Sequence, residues 1–336
     1  VRLVAVVESV DHVCSRYRLA AFQPFLAVAG HSLELRPLPR SPLARTFFFR
    51  ELRTADAVIL QRKLLPRWQL ALLRRYAAKL VFDFDDAIWL RDSYSPKGTA
   101  CRRRSRRFAR TVAAADAVIA GNDFLAAEAS RHTPSARVDV IPTSVDPDKY
   151  PPAAHTRSGP VQLVWIGSSS TLQGLQRIRP LLEAVGKALP GTRLKLVCDR
   201  FLTFDHLPVD PVPWREATEA RDIATADVGI AWVPDDDWSR GKCGLKVLQY
   251  QAAGLPVIAN DVGVHPHLVG ANRTGFLANT PEEWIAAVAR LSDPAVRANL
   301  GGAARRQLDE HYSVAASARK WLAALRRLVE PARQVA

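Results

Sequence analysis

Methionine is absent from this chain of 336 residues, and cysteine occurs only four times. Cys14, Cys101, Cys198 and Cys243 lie far apart and form no ligand-like pair. That spacing excludes a cysteine-built metal site and a disulfide framework, and it is the usage expected of a reduced, cytoplasmic protein. No apolar run approaches the roughly 20 residues that a bilayer-spanning helix needs. The opening VRLVAVV is followed by Glu8 and Asp11 with no small-residue cleavage site. The expectation is a buried first strand rather than a signal peptide. Short-period repeats and low-complexity tracts are also missing, which excludes repeat architectures.

Acidic residues are in deficit: 33 Asp and Glu face 47 Lys and Arg, for a net charge of +14. Such a balance implies anionic company, whether nucleotide phosphates, acidic lipid head groups or nucleic acid, and charge alone does not choose. Hydrophobic residues make up 48% and charged residues 24%, the composition of a globular protein. The length suits two domains better than one core.

Short apolar runs alternate with helical patterns throughout. In the first half strands are predicted at 3–7, 32–38, 56–60, 79–84, 116–120 and 138–142, with helices near 16–29, 66–78, 99–114 and 122–132. The second half repeats the scheme, with strands at 161–167, 193–198, 227–233 and 255–260 and helices near 172–189, 216–225 and 242–253. Two alternating halves predict two Rossmann-like α/β domains with mostly parallel sheets. The Pro-rich, aperiodic stretch DPDKYPPAAHTRSGP at 146–160 reads as the join,. The expected division is 1–152, 160–312 and a terminal helical segment 313–336, the last able to cross back to the first domain. In NTPEEW, Thr280, Pro281 and Glu283 spell a capping box that opens a further helix. Parallel sheets bind ligands beyond the carboxyl ends of their strands. The residues after 7, 60, 84, 120, 142, 167, 198, 233 and 260 are therefore the places to search.

The stretch GKCGLKVLQYQAAGLPVIAND at 241–261 carries the densest pattern. With a 3.6-residue period, Lys242, Lys246 and Gln249 share one face, while Leu245, Leu248 and Ala252 form a face for the sheet. Gly241 and Gly244 would let an anion approach the free N–H groups at the helix start, where the dipole favours it. A pyrophosphate there would meet Lys242 and Lys246, and Gln249 could bond a ribose hydroxyl. The competing reading is a solvated surface face, and it fits Lys242 taken alone.

This stretch resembles the donor-binding segment of GT-B glycosyltransferases of the group 1, GT4-like kind. SRYRLAAFQPFLAVAGH, LVFDFDDAIW, DVIPTSVDPDKY, VWIGSSST and TGFLANTPEEW resemble further stations of that family in the right order, so the resemblance covers nearly the whole chain. It implies two Rossmann-like domains facing across a cleft, with the C-terminal helices packing back on the N-terminal domain. There are departures. The family's Glu-x7-Glu pair falls on Gly241 and Gln249. A glutamine oxygen can still accept from a hydroxyl, but Gly241 can do nothing, and Asp236, Asp237 and Trp238 are candidates to replace it. The family's Arg and Lys after the first strand of the second domain fall on Ser168 and Gln173. Lys242 and Lys246 would then restore the missing positive charge.

Gly167, Ser168 and Ser169 in VWIGSSST offer close approach and donors to phosphate, with N-capping by Ser170 or Thr171 as the alternative. The family's His–Asp pair falls on Asp85 and Asp86. The resemblance therefore makes Asp85 the candidate to orient or deprotonate the acceptor hydroxyl, against local pairing with Arg91 or Arg16. Arg16 and Arg18 in SRYR are acceptor-side candidates. His265 follows a strand where the family binds the sugar or α-phosphate, although a lone loop His is usually a surface residue. PDDDW at 234–238 is an isolated acidic loop, and neither a metal nor a cofactor is expected.

CRRRSRRFAR at 101–110 is the strongest charge run. On a helix it would suit an anionic membrane surface. Nucleic acid is the rival partner, and no aromatic interleaving or nucleic-acid module supports it. The resemblance thus implies a retaining, metal-independent transferase. It would move a sugar from a nucleotide-sugar to a glycan or lipid-linked acceptor, in surface glycan or glycolipid assembly at the inner face of the cytoplasmic membrane. The donor base would be selected near Pro213 to Glu216. The alternatives are a nucleotide-sugar epimerase on the same fold and a non-catalytic nucleotide-sugar or glycan binder.

Overall fold

A computed structural model describes residues 1–329, without the side chains of 271 and 272. It contains two six-stranded sheets, each in its own compact unit, and every strand pair in both is parallel. The first unit comprises Val1–Ser144, Asp236–Cys243 and the chain from Val314 onward; the second comprises Val145–Asp235 and Gly244–Ser313. The division therefore falls at Ser144 rather than at 152. The stretch 146–160 is not a loose linker, because Ala153 N–H donates to the Ala253 carbonyl at 2.9 Å and His155 Nε2 lies 2.7 Å from the Gly254 carbonyl.

In the first unit β1 (Arg2–Val7), β2 (Ser32–Pro37), β3 (Ala57–Gln61), β4 (Leu80–Phe84), β5 (Ala117–Ala120) and β6 (Val138–Val140) lie in the order β2-β1-β3-β4-β5-β6. Both faces are buried, which is why β1 reads as a continuous apolar run. Val4 and Val6 enter one core with Phe82, Phe84 and Phe108, whereas Leu3, Ala5 and Val7 enter another with Phe22 and Trp321. The helix Val314–Val329 covers that second face with Val314, Ala318, Trp321, Leu325 and Leu328, a stripe at helical spacing. Burying each large side chain of the stripe stabilises this unit by roughly 1.5–3 kcal/mol.

In the second unit β7 (Gln162–Ile166), β8 (Arg193–Cys198), β9 (Val209–Pro213), β10 (Val228–Ala231), β11 (Val257–Ala259) and β12 (Gly275–Leu277) lie in the order β12-β11-β10-β7-β8-β9. β9 and β12, which the sequence pattern does not reveal, are the two edges. Pro211 and Pro213 disguise β9, since proline is confined to sheet edges by its missing N–H. The predicted helix at 172–189 divides into Ser169–Arg177 and Arg179–Ala188 around Ile178, because Pro180 supplies no N–H to continue the ladder. The helix predicted at 16–29 divides likewise, and Pro24 sits in the first turn of Gln23–Val28. A helix at Pro42–Glu51, capped by Ser41, has no counterpart in the predicted elements.

Candidate functional site

Each sheet reverses its strand order once, between β1 and β3 in the first unit and between β7 and β10 in the second. Ligands of open parallel sheets bind beyond such points. In the second unit β7 ends at Ile166, and Gly167 follows. A Cβ on Gly167 would lie 2.4 Å from Trp165 Cη2 and 2.7 Å from Thr171 Oγ1, so the glycine makes room for the indole of Trp165. Lys246 Nζ lies 5.0 Å from the centroid of that same ring, an attraction of about 0.5–2 kcal/mol. Gly167 and Lys246, far apart in sequence, thus share one indole.

Ser168 caps the helix Ser169–Arg177, but the N–H groups there are not all open. The Ser169 N–H donates to Asp199 Oδ1 at 2.6 Å, and Ser168 Oγ lies 2.8 Å from Ser170 Oγ. The hydrogen bonds from Ser169 hold the Asp199 carboxyl below its ordinary range. The chain's own carboxylate therefore takes part of the anion site expected at Ser169.

The helix predicted from 242 begins at Leu245, because Gly244 adopts φ +69 and closes the turn before it. Lys246 stands in its first turn. Lys242 lies outside this helix and belongs to the first unit, so the expected shared face of Lys242, Lys246 and Gln249 does not exist. Gln249 is buried and its Nε2 donates to Tyr150 Oη at 3.1 Å. Its amide nitrogen is thus engaged inside the unit.

His265 is not a surface residue: it is 4% exposed. Its Nδ1 lies 3.1 Å from the Asn260 carbonyl. A carbonyl only accepts, so Nδ1 carries the proton. Burial, with the Lys246 ammonium adding to it, pushes its pKa down from 6.5 to about 4. Between those values the unfolded chain binds a proton that the folded chain refuses. Stability should therefore fall by up to about 3 kcal/mol as pH drops from 6.5 to 4, and level off below. Urea midpoints across this range should fall less steeply in His265→Gln than in the parent. Equal slopes would remove His265 as the cause.

In the first unit the acids of FDFDDAIW are all paired. Arg18, 1% exposed, donates to Asp83 at 2.5–3.1 Å and to the Ile141 carbonyl at 3.0 Å. It is a buried structural cation and not an acceptor-side group. Arg62, at φ +57 just past β3, places Nη1 2.5 Å from Asp85 and Nη2 2.7 Å from Asp86. Burial alone would raise the Asp85 carboxyl, but Arg62 and then Arg18 outweigh it and hold it below the ordinary carboxylate range. Asp85 is thus a weak base, better placed to orient than to deprotonate. Its partner is Arg62, neither Arg91 nor Arg16; the guanidinium of Arg16 lies 5.4 Å from the Tyr17 ring.

The segment 236–243 packs within the same unit. Asp236 caps the short helix Asp237–Arg240, and Trp238 joins the edge of the core. Asp237 is exposed and pairs with Arg240 at 3.5 Å. Lys242 lies 5.5 Å from the Trp238 ring centroid and 3.9 Å from Asp86. A Cβ on Gly241 would meet Ala87 at 2.7 Å, so the glycine at the family's first Glu position serves close packing. The residues that sequence reading misses are Trp165 and Arg62. Arg62 had one signal, its place two residues past the third apolar run. Among the described residues no cluster of three or more His, Cys, Asp or Glu could hold a metal, and no helix is long and apolar enough to cross a membrane.

Residues 212–293 match the family model of the group 1 glycosyl transferases. Over 238 residues the chain is 32% identical to a D-inositol 3-phosphate glycosyltransferase of Streptomyces avermitilis, covering 59% of this chain and 49% of that protein. The chain thus spans about half the length of the curated relative it matches. Among solved structures it superposes on a glycosyltransferase from Rickettsia africae with a TM-score of 0.74 at 14% identity, covering 98% of this chain and 99% of that one. Sucrose-phosphate synthase from Thermosynechococcus elongatus gives 0.76 at 16%, covering 97% and 98%. Anabaena HepE, solved with UDP and glucose, gives 0.70 at 15%, covering 97% and 100%. These likenesses establish the GT-B fold of two parallel six-stranded sheets.

Proposed function

We propose that this chain, GT-B in fold and group 1 glycosyltransferase in sequence over 212–293, moves a sugar from a nucleotide-sugar to an acceptor hydroxyl. One observation carries the reading: Lys246, inside the matched segment, shares the Trp165 indole with Gly167 beside the point where the second sheet reverses. That is where this fold accommodates a nucleotide. Lys246 and the first N–H groups of its helix would neutralise the departing diphosphate, an electrostatic contribution made where charge develops. Asp85, held ionised by Arg62, would orient the acceptor hydroxyl on the first unit. The reaction is proposed to retain anomeric configuration and to need no metal. Surface glycan or glycolipid assembly is the setting that the resemblance favours.

Purified protein should be assayed against UDP-, GDP- and dTDP-sugars with a panel of glycan and lipid-linked acceptors. The expected result is nucleotide diphosphate release that requires an acceptor, is unaffected by EDTA, and yields product of the donor's anomeric form. Epimerised donor without acceptor, or binding with no turnover on any acceptor, would overturn transfer. The second outcome would fit Gly241, which leaves the family's sugar-contacting position empty of function.

A further inference from the structure

We infer that the acceptor is an anion whose phosphate or diphosphate ester sits in a cationic cavity of the first unit. The inference rests on the transfer reading above and names its acceptor class. The cavity, about 700 Å³, lies beyond the carboxyl ends of β1 and β3, where Glu8, His12, Arg62 and Lys63 line it. Its volume is that of a small-ligand site. The stretch from Arg91 to Arg107 supplies the opposite lining: Arg91, Arg103, Arg104, Arg107 and Cys101.

Charge is the deciding feature. Two of the lining cations are neutralised, Lys63 by Glu8 and Arg62 by Asp85 and Asp86. Arg91, Arg103, Arg104 and Arg107 have no carboxylate partner among the described residues. Three of them are fixed by carbonyls instead: Arg91 by Lys97 and Gly98 at 3.2 and 3.3 Å, Arg104 by Leu90 at 2.5 Å, and Arg107 by Leu64 at 3.2 Å. A carbonyl orients a guanidinium without cancelling its charge. Four like charges around one concavity repel, and an anion of two or more charges relieves that repulsion. A neutral sugar hydroxyl would gain nothing from them.

The backbone N–H of Arg104, and to a lesser degree the Arg91 charge, draw the Cys101 thiol below its usual pKa against the opposing effect of burial. A membrane surface is less well served by this helix. Phe108, Thr111 and Val112 of Arg102–Ala114 are buried in the core, so its apolar face is already spent. Arg103, Arg104 and Arg107 turn to the cavity.

Cys101 provides a readout independent of turnover. The full chain, with saturating UDP present to fill the second unit, is alkylated with iodoacetamide, and Cys101 labelling is followed by peptide mapping. A hexose phosphate or a short-chain alkyl phosphate should slow labelling by about fivefold or more, whereas unphosphorylated hexose and potassium chloride of matched ionic strength should not. Which of the two phosphates protects distinguishes a soluble from a lipid-borne acceptor. The Arg103→Ala/Arg107→Ala double variant should lose the protection while keeping its UDP affinity. No protection by either phosphate overturns the inference. So does equal protection by chloride, or protection only by phosphatidylglycerol vesicles, the last pointing to a membrane contact. Failure of UDP to bind would strike the donor reading alone, because Cys101 protection by the phosphates is also measured with UDP omitted.

Discussion

Arg18→Ala should lose about 3–5 kcal/mol of folding stability, the cost of leaving a buried carboxylate without its partner. Asp83 is fully buried in β4, on the face that packs under the terminal helix. Its charge is met by Arg18 and by Gln61 Nε2 at 3.3 Å, and Gln61 is held in turn by Ser15 Oγ at 3.0 Å. Both side chains are buried, Arg18 at 1% and Asp83 at 0% exposure. Burial pushes the Asp83 carboxyl up, and Arg18 is the chief influence in the other direction. Without Arg18 the folded pKa climbs further above the unfolded value. The proton is then taken up on folding, so the loss is smallest at low pH and grows as pH rises through that window. Urea midpoints at pH 5 and pH 7.5 measure this. The double change Arg18→Met with Asp83→Leu should recover most of the loss, since it removes both charges. A loss under about 1 kcal/mol would place the pair with ordinary surface bridges and refute the buried network.

That network shows where the sequence is legible and where it is not. The predicted strands survive with boundaries shifted by a residue or two, because strands buried on both faces write themselves as apolar runs. β12 is three residues long and its edge position asks for no such run; a Cβ on Gly275 would lie 1.9 Å from the Val257 carbonyl. The run FFF at 47–49 conceals the helix Pro42–Glu51, because Phe48 and Phe49 are buried while Phe47 is exposed. Asp83 lies in β4 and Asp85 just past its end. Their separate partners, Arg18 and Arg62, come from distant elements, and no local pattern joins them. Lys246 lies inside a motif, and what the structure adds is its indole neighbour Trp165. Lys242 is misleading because one left-handed glycine, Gly244, ends the periodicity that tied it to the helix. Trp165 is hidden for the opposite reason: an aromatic in a strand is ordinarily core, and only the glycine two residues on hints that its ring needs room.

Lys246→Ala should weaken UDP or GDP binding by about 10- to 100-fold, the worth of one charge-assisted contact to a diphosphate. The uncharged nucleosides should lose far less, because the lysine acts on phosphate and not on the base. This contrast matters, since Lys246 also packs over Trp165 and its removal could loosen the strand end. A loosened site would lose nucleoside and diphosphate alike. A second readout lies in His265, whose low pKa is set first by burial and then by the Lys246 charge. Removing that charge should let the imidazole titrate at a higher pH, which proton NMR resolves, while burial keeps it below 6.5. Diphosphate affinity unchanged in a variant whose His265 titration has moved would leave Lys246 a neighbour of the pocket and no part of its grip.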